Sequence, residues 1–435
     1  MDQENNIDMK NEHKRSPTIL DFGDAYFVNA IIHQMGYDKV IDQISDDHKD
    51  TLYAMIAYYM LCNSSNHNAS IWYEGSFASL LYPKAKLTSM NISNLLRSIG
   101  HDENRIQYFI NHMNFIKENI SHNKAVILEG TGLPHNSYMP VSVISTHDDQ
   151  VVSDSRMITA IQNNTDYPLM FRLILGDDIH VDTMVRSAAI LDQIGGMDID
   201  FLLDDHLIND IDELYGERMD FLMKLPKEHS LYQDLIKTYG SYLKCEENMV
   251  RYHDQIIYIK KIKVTIKGHV AYAFLGYDLL RGNDEMSKIL SQAMKLTPAQ
   301  IQSELENIGY FALISSLPLE TDNILPTYHK RYLADQYFNL GKVSSKNVHS
   351  HEVNEDVLRG HLLLLIIVAT IKVYMQEKIQ NNAMDLSSLF MTLRNQKCIV
   401  NKTVTIYEPS LKANDLYKAF NIVSPTQFHK SDSKR

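Results

Sequence analysis

The sequence predicts an α/β core with a mixed sheet and flanking helices, preceded by an all-helical region and interrupted by a β-rich insertion. Residues 17–123 carry apolar side chains at helical spacing. From residue 124 to 225, short apolar runs bounded by turn residues alternate with helical segments, which is typical of α/β proteins. Residues 255–275 contain strict apolar–polar alternation, which indicates a half-buried strand.

Composition and charge are those of an ordinary globular protein. The chain has 435 residues, 44% of them hydrophobic and 22% charged, and a formal net charge of −12. A prior of about 150 residues per domain suggests roughly three domains. The acidic balance argues against a protein that coats nucleic acid without specificity. Binding to nucleic acid would therefore depend on local basic patches.

The three cysteines predict a reducing, cytoplasmic compartment. Cys62, Cys245 and Cys398 are far apart and odd in number, so they form neither a disulfide framework nor a CxxC metal pair. Residues 1–16 are polar, lack an apolar signal core and are expected to form a disordered tail. The apolar run at 362–371 has ten residues, whereas a membrane span needs about 20, so we expect a buried helix and no membrane.

The region at 17–123 is predicted to be an all-helical N-terminal domain, a candidate for DNA binding. Residues 52–62, LYAMIAYYMLC, are apolar on nearly all faces, which indicates a buried helix. Residues 89–97 begin with capping residues and continue with helical spacing. Residues 107–120 repeat apolar side chains at helical intervals.

The first part of the α/β core is predicted at 124–225. Residues 125–128, AVIL, read as a buried strand that ends in a turn at Glu129-Gly-Thr-Gly. Another apolar strand, at 200–203, ends at Asp204-Asp205. Further strands are predicted at 139–145, 169–175 and 219–225, and a helix is predicted at 181–193.

The β-rich insertion is predicted at 226–307 and presents one basic strand face. Ile262, Val264 and Ile266 alternate with polar residues, and residues 259–267 hold four lysines and no acidic residue. The basic face, made of Lys261, Lys263 and Lys267, suits either DNA contact or a solvated strand surface. The second part of the core follows at 308–378, with a strand at 310–316 and helices at 323–342 and 353–378. A C-terminal helical segment and tail complete the chain at 379–435.

Three acidic residues are placed where they could share a divalent metal ion. Glu129 and Asp204 end predicted strands, and Asp335 lies on a predicted helix. Carboxylate oxygens suit Mg²⁺ or Mn²⁺, and two such ions can assist phosphoryl transfer. The alternative is that each residue is a solvated turn or surface acid.

The predicted helix around Asp335 presents four functional side chains on one face. Tyr328, Arg331, Asp335 and Lys342 follow one another at steps of three, four and seven residues. At about 100° per residue, these positions fall within roughly 60° of one another. The alternative is a solvated face stabilised by an Arg331–Asp335 ion pair.

This spacing resembles the Y-(2)-R-(3)-E-(6)-K signature of DDE-type insertion-sequence transposases. Residues 324–342, ILPTYHKRYLADQYFNLGK, resemble the segment that holds the family's last acidic residue. Residues 125–134, AVILEGTGLP, lie where the family has a strand ending in Asp-x-Thr, and residues 198–226 resemble its second-carboxylate segment. The resemblance extends over about residues 20–420.

The resemblance implies a ribonuclease H-like catalytic domain that cleaves and transfers DNA strands at transposon ends. By this resemblance Glu129, Asp204 and Asp335 would hold two Mg²⁺ or Mn²⁺ ions. Arg331 and Lys342 would contact DNA phosphates, and Tyr328 would position the strand. A homodimer working on paired DNA ends, in the cytoplasm at the nucleoid, is implied as well.

The chain departs from the family pattern at its acidic residues. The family order Asp-Asp-Glu is here Glu-Asp-Asp, and Asp205 beside Asp204 is an alternative ligand. His206 and Asn209 replace the usual Gly and Ser. A second interpretation is therefore a catalytically impaired or repurposed relative that binds DNA without cutting it. A third, from another class, is a helical scaffold protein with no nucleic-acid role.

Overall fold

The structure is a computed structural model that describes residues 17–44, 47–62, 64–135, 142–147, 150–174, 179–203, 205–292, 296–345, 355–379, 384–401, 403–424 and 427–428. The predicted mixed α/β class is confirmed, with several sheets and many helices, so the chain is not a helical scaffold. The α-helices are α1 (Gly23–Gln34), α2 (Asp38–Ile41), α3 (Lys49–Leu61), α4 (Ala69–Gly75), α5 (Ala78–Leu81), α6 (Ser89–Gly100), α7 (Asp102–Asn119), α8 (Val181–Gly195), α9 (Ile211–Gly216), α10 (Ser230–Tyr239), α11 (Leu279–Gln292), α12 (Pro298–Glu306), α13 (Thr321–His329), α14 (Arg331–Ser345), α15 (Glu355–Ile379), α16 (Leu386–Arg394) and α17 (Leu411–Ala419). The strands are β1 (Thr18–Asp21), β2 (Ala125–His135), β3 (Ser142–His147), β4 (Gln150–Gln162), β5 (Pro168–Ile174), β6 (Asp198–Leu202), β7 (Leu222–Lys224), β8 (Met249–Tyr252), β9 (Gln255–Ile266), β10 (His269–Asp278), β11 (Tyr310–Ser315), β12 (Lys397–Val400), β13 (Val404–Ile406) and β14 (Gln427–Phe428).

The chain divides into two compact units whose limits differ from the predicted domain boundaries. Unit 1 combines Met1–Leu95 with Ile371–Arg435, and unit 2 comprises Leu96–Thr370. The junctions lie inside α6 and α15, so α7, which was expected in the N-terminal domain, belongs to unit 2. The expected tail at 1–16 lies outside the described residues.

Unit 1 contains a sheet as well as helices, which corrects the expectation of an all-helical N-terminal region. Strand β1 pairs antiparallel with β12, and the sheet continues through β13 to β14. Helix α3 is buried along Thr51–Leu61, as its apolar composition predicts. Local sequence pattern could not reveal β1, because its hydrogen-bonding partners lie at the other end of the chain.

The first sheet of unit 2 is built around β2 and has both antiparallel and parallel pairs. Strand β2 pairs antiparallel with β4 on one side and parallel with β6 on the other, while β3 and β5 both pair antiparallel with β4. Strand β2 runs through Glu129 to His135, so the predicted turn at residues 129–132 is wrong. Its glycines are tolerated because the ladder with β4 continues past them.

The second sheet of unit 2 has the order β7-β11-β10-β9-β8 and contains the predicted insertion. An isolated parallel bridge from Leu202 to Phe221 links it to the end of β6. Strands β9 and β10 form a hairpin whose turn residues, Lys267 and Gly268, have φ angles of 47° and 84°. Two successive positive φ angles are typical of a type I′ turn. Lys267 therefore lies in the turn and not on the predicted strand face.

One hydrophobic cluster joins the two sheets to α13 and so positions the candidate site. Its buried members come from β2, β6 and the residue after it, β7, β8, β9, β10, β11 and α13: Ile127, Phe201, Leu203, Leu222, Val250, Ile257, Ile259, Phe274, Phe311, Leu313, Ile324, Leu325 and Tyr328. The helix predicted at 323–342 is two helices, α13 and α14, that meet at Lys330. The side chain of Tyr328 thus approaches Arg331 across a helix junction.

Helix α15 is longer than the ten-residue run that predicted it. It has 25 residues and a mean hydropathy of 1.8 in its most apolar window, so by length and composition it could cross a membrane. Within the structure 83% of that window is buried, as in the core helix of a globular unit. Among the described residues no other helix passes the same test.

Close contact between α6 and α15 in unit 2 depends on two glycines. A Cβ atom at Gly100 would lie 1.8 Å from the carbonyl oxygen of Asp356. A Cβ atom at Gly360 would lie 1.8 Å from the carbonyl oxygen of Leu96. Both distances are far below van der Waals contact, so only glycine permits the two backbones to approach this closely.

Candidate active site

Glu129 is a buried carboxylate in the middle of β2. Its side chain is 3% exposed, and the residue lies opposite Thr159 of β4. Side chains alternate between the faces of a strand, so Glu129 shares a face with Ile127 and Thr131. Ile127 belongs to the cluster that includes α13. Glu129 therefore points toward the side of the sheet on which α13 and α14 lie.

Asp335 reaches the same face of β2 from α14. The Thr131 hydroxyl donates a hydrogen bond to Asp335 Oδ1 at 3.2 Å, and α14 packs on β2. Thr131 is two residues after Glu129, a step of about 6.7 Å along a strand. The first and third predicted acidic residues thus lie on facing elements in neighbouring positions.

Contacts with the turn between β4 and β5 hold α14 in place over the sheet. Lys330 binds the Asp166 carboxylate at 2.8 Å, and the Tyr337 hydroxyl donates to the Asp166 carbonyl. Phe338 packs edge-on against Phe171 of β5, with ring centroids 6.4 Å apart. These contacts fix the helix that carries Asp335 relative to the strand that carries Glu129.

Asp204 lies outside the described residues, whereas its neighbour Asp205 has a well-defined place. Asp205 Oδ1 accepts a hydrogen bond from the Lys224 backbone amide at 2.7 Å. Asp205 Oδ2 accepts from the Tyr328 hydroxyl at 2.9 Å and forms an ion pair with Arg331. The sequence identified Asp205 as an alternative metal ligand, but here it binds the tyrosine and arginine of the signature.

Arg331 is the electrostatic centre of the site. Its side chain is 19% exposed, and its guanidinium lies 2.6 Å from the Tyr328 hydroxyl oxygen. Burial by itself lowers the pKa of Arg331, but the Asp205 carboxylate and, more weakly, Glu129 outweigh burial and raise it. Burial and Asp205 also raise the pKa of the Tyr328 phenol. Arg331 is therefore charged and Tyr328 neutral at every physiological pH.

A cavity of about 380 Å³ opens beside this cluster and was not foreseen from the sequence. Asp205, Arg331, Tyr252, His329 and Tyr332 are among its lining residues. The Tyr252 hydroxyl lies 2.6 Å from His329 Nδ1. Burial, together with neighbouring positive charge, lowers the pKa of His329, which favours a neutral ring that accepts this hydrogen bond. The only sequence feature that points to this cavity is that His329 is adjacent to Tyr328 and Tyr332 is adjacent to Arg331.

The other predicted DNA-contact residues are distributed over the β9–β10 hairpin and α14. Lys261 donates to the Pro318 carbonyl at 2.7 Å and lies 3.8 Å from Glu320. Lys267 donates to the Asn209 carbonyl, and Lys263 is exposed opposite Tyr272. The Lys342 side chain lies outside the described residues. Lys261, Lys263 and Lys267 do not line the cavity beside Arg331.

The donor set fits a divalent metal in part. Glu129 and Asp335 supply carboxylate oxygens on facing elements, and the Arg331 charge compensates for burial of Glu129. The second predicted ligand, Asp204, is outside the described residues. Among the residues that are described, no group of three or more His, Cys, Asp or Glu side chains could hold a metal ion.

Two solved transposase structures are similar to the chain at low identity. One is a piggyBac transposase synaptic complex with hairpin DNA, with a TM-score of 0.40 and 10% identity over 97% of this chain and 91% of that one. The other is a Drosophila P element transposase strand transfer complex, with a TM-score of 0.28 and 9% identity over 84% and 89%. No family model and no curated protein matches the sequence.

Proposed function

We propose that the chain is a DDE-type transposase that cleaves DNA at insertion-sequence ends and transfers the resulting strands. The observation that carries the proposal is the contact between Thr131 and Asp335, which are 204 residues apart in sequence. It brings the helix with the third acidic residue onto the strand with the first. The resemblance requires this approach, and neither composition nor local pattern would produce it.

The strand order supports a ribonuclease H-like core. Strands β5, β4 and β2 are joined by antiparallel pairs, and β6 then joins β2 in parallel. The parallel bridge from Leu202 to Phe221 continues the sheet toward β7. Such a mixed sheet, with Glu129 on its central strand β2, is the arrangement that a ribonuclease H-like interpretation needs. The predicted insertion then lies between β7 and β11.

Glu129, Asp204 and Asp335 are the residues proposed to hold Mg²⁺ or Mn²⁺, with two ions in the active enzyme. When bound, such ions lower the pKa of a nucleophile and stabilise the leaving oxygen in phosphoryl transfer. Thr131 orients the Asp335 carboxylate through its hydrogen bond. Arg331 would provide the positive charge that a pentacovalent phosphate needs, because its guanidinium is charged and close enough to Glu129 to interact with it electrostatically.

The partner in this proposal is DNA, both transposon ends and target. Arg331, Lys342 and Tyr328 are assigned to the strand being cut, and Lys261, Lys263 and Lys267 to flanking duplex. A homodimer would hold two ends together, and the protein would work in the cytoplasm at the nucleoid.

The experiment is a cleavage assay on DNA that carries both ends of the encoding element, with Mg²⁺ and with Mn²⁺. Wild type should nick the ends and join them to a target plasmid. Glu129→Gln and Asp335→Asn should each reduce nicking by about 100-fold or more, because each removes a carboxylate ligand that would hold the metal ion. Asp182→Asn removes a carboxylate from an exposed ion pair with Arg186 and serves as the control.

A second candidate function is DNA binding without cleavage. The observation in its favour is the exchange of acid types at Glu129 and Asp335, since a metal site responds to displacements of an ångström or less. It predicts salt-dependent DNA binding and no nicking by wild type, with nicking restored by Glu129→Asp. That result would overturn the proposed activity. Salt-independent binding, or none, would instead favour a protein without a nucleic-acid role.

A further inference from the structure

The Asp205 carboxylate binds Arg331 and Tyr328, the two side chains that the proposed function assigns to the DNA strand being cut. Arg331 and Tyr328 both bind Asp205 Oδ2, and they bind each other at 2.6 Å. The side chains of Asp205 and Arg331 are 24% and 19% exposed, so the pair lies at the margin of solvent. An incoming polyanion can therefore reach it.

Carboxylate and phosphate are alternative partners for these donors. A guanidinium binds the oxygens of either anion in the same planar geometry, and a phenol donates to either. Asp205 lines the 380 Å³ cavity, whose lining also includes Tyr332 and Arg281. While Asp205 is in place, its carboxylate neutralises the charge of Arg331.

We propose that Asp205 is an internal phosphate mimic that holds Arg331 and Tyr328 until a DNA phosphate displaces it. This inference rests on the proposed function and names a residue that sets its DNA affinity. Asp205 Oδ1 can keep its bond to the Lys224 amide while Oδ2 releases the two side chains. Displacing Asp205 from Arg331 costs the free energy of one ion pair. DNA that makes too few additional contacts with the protein therefore does not displace it.

The first test is the affinity of Asp205→Asn for a labelled duplex, measured by fluorescence anisotropy in EDTA at low salt. Asparagine keeps an oxygen for the Lys224 amide but removes the charge that competes with phosphate. Affinity should rise on the order of fivefold, the equivalent of one partly exposed ion pair. Asp182→Asn changes net charge by the same amount in another Asp–Arg pair and should alter affinity by less than about twofold.

The second test separates local competition from a general charge effect. In an Arg331→Ala background, Asp205→Asn should give a clearly smaller gain, because only the Tyr328 hydroxyl is left to release. A gain of full size there overturns the inference, and so does unchanged or weaker binding by Asp205→Asn alone. Arg331→Ala in otherwise wild-type protein must itself weaken DNA binding. If it does not, Arg331 stays on Asp205 in the complex.

Failure of this inference is distinguishable from failure of the proposed function. If wild type binds no DNA at low salt, the proposed function is wrong whatever Asp205 does. If wild type binds and nicks DNA but the Asp205 variants behave as their controls, only the inference fails. Circular dichroism of each variant checks that the fold is retained.

Discussion

Glu129 and Asp335 differ from the family's acids by one methylene each, in opposite senses. Glu129 extends further from a paired strand whose backbone cannot shift easily, and Asp335 is shorter on the helix that faces it. If the two carboxylates share the proposed metal site, both changes move carboxylate oxygens away from β2 and toward α14, and a bound ion would shift in the same direction.

Exchanging both acids together should be less harmful than exchanging either one. Glu129→Asp alone widens the gap between the two carboxylates and Asp335→Glu alone narrows it, so each should slow Mn²⁺-dependent nicking by about 10- to 100-fold. The double variant should recover to within about tenfold of wild type. The wild type, the two single variants and the double variant form a double-mutant cycle, which is measured by single-turnover nicking rates. Additive losses would show that the two side chains do not share a site.

His112 is a buried histidine whose charge couples stability to pH. It is fully buried, lies 2.8 Å from the Pro168 carbonyl oxygen through Nε2 and stacks on Tyr108. Burial lowers the pKa of His112 to about 4. The unfolded chain, with a pKa of about 6.5, therefore takes up the proton first as pH falls. The stability due to neutral His112 is complete above about pH 6.5 and is lost as pH falls toward 4.

Replacing His112 should flatten that pH dependence. The histidine contributes at most about 3 kcal/mol of unfolding free energy between pH 7 and pH 4. His112→Gln keeps an amide donor for the Pro168 carbonyl but cannot be protonated. Its melting temperature should fall less between pH 7 and pH 5 than that of wild type, as measured by calorimetry. An equal fall in both proteins would contradict the assignment.

At the scale of elements, the sequence predicted most of the strands and helices around the site but misplaced the end of β2 and missed β4. Strand β2 was expected to stop at Glu129 because Gly-Thr-Gly resembles a turn, yet β4 supplies partners as far as His135. Strand β4 was not predicted, because its polar residues interrupt the apolar–polar alternation that indicates a half-buried strand. Tyr328 and Arg331, which were predicted to share one helix face, contact each other across the junction of α13 and α14. Asp205 was not recognised as their partner, because that contact spans more than 120 residues and local periodicity carries no information about it.

The crossing of α6 and α15 gives a prediction at the same scale. Gly360→Ala places a methyl group 1.8 Å from the Leu96 carbonyl oxygen, so the helices must separate. We expect a loss of about 2–3 kcal/mol in the free energy of unfolding, the range found when packed interfaces are overfilled. Gly216→Ala, in α9, meets nothing within 4 Å and is the matched control. Calorimetric melting of the two variants gives the comparison, and similar losses would contradict it.

At the scale of the whole molecule, a net charge of −12 means that the proposed DNA binding would depend on a few exposed cations. Lys261 and Lys267 already donate to backbone carbonyls, while Lys263 is exposed on the same hairpin. The three lysines of the predicted basic patch therefore differ in how readily they could contact a phosphate. A phosphate contact is easiest for the lysine that breaks no internal bond.

Lys263→Gln should weaken DNA binding more than Lys261→Gln. Loss of one phosphate contact reduces the slope of log affinity against log salt by about one. Titrations at several salt concentrations, with the same duplex, measure both slopes. If all three single variants at Lys261, Lys263 and Lys267 bind as wild type does, the hairpin is a solvated surface and does not lie on the DNA path.

The pairing of β1 with β12 has a consequence for the timing of folding during synthesis. The two strands are about 380 residues apart, so a ribosome adding about 5–20 residues per second makes the second one roughly 20–80 s after the first. All of Leu96–Thr370 emerges during that interval. Unit 2 can therefore fold while the edge of β1 is still waiting for its partner. A nascent chain interrupted before Lys397 would carry a formed unit 2 beside an unfinished unit 1, and such products are natural substrates for chaperones and proteases.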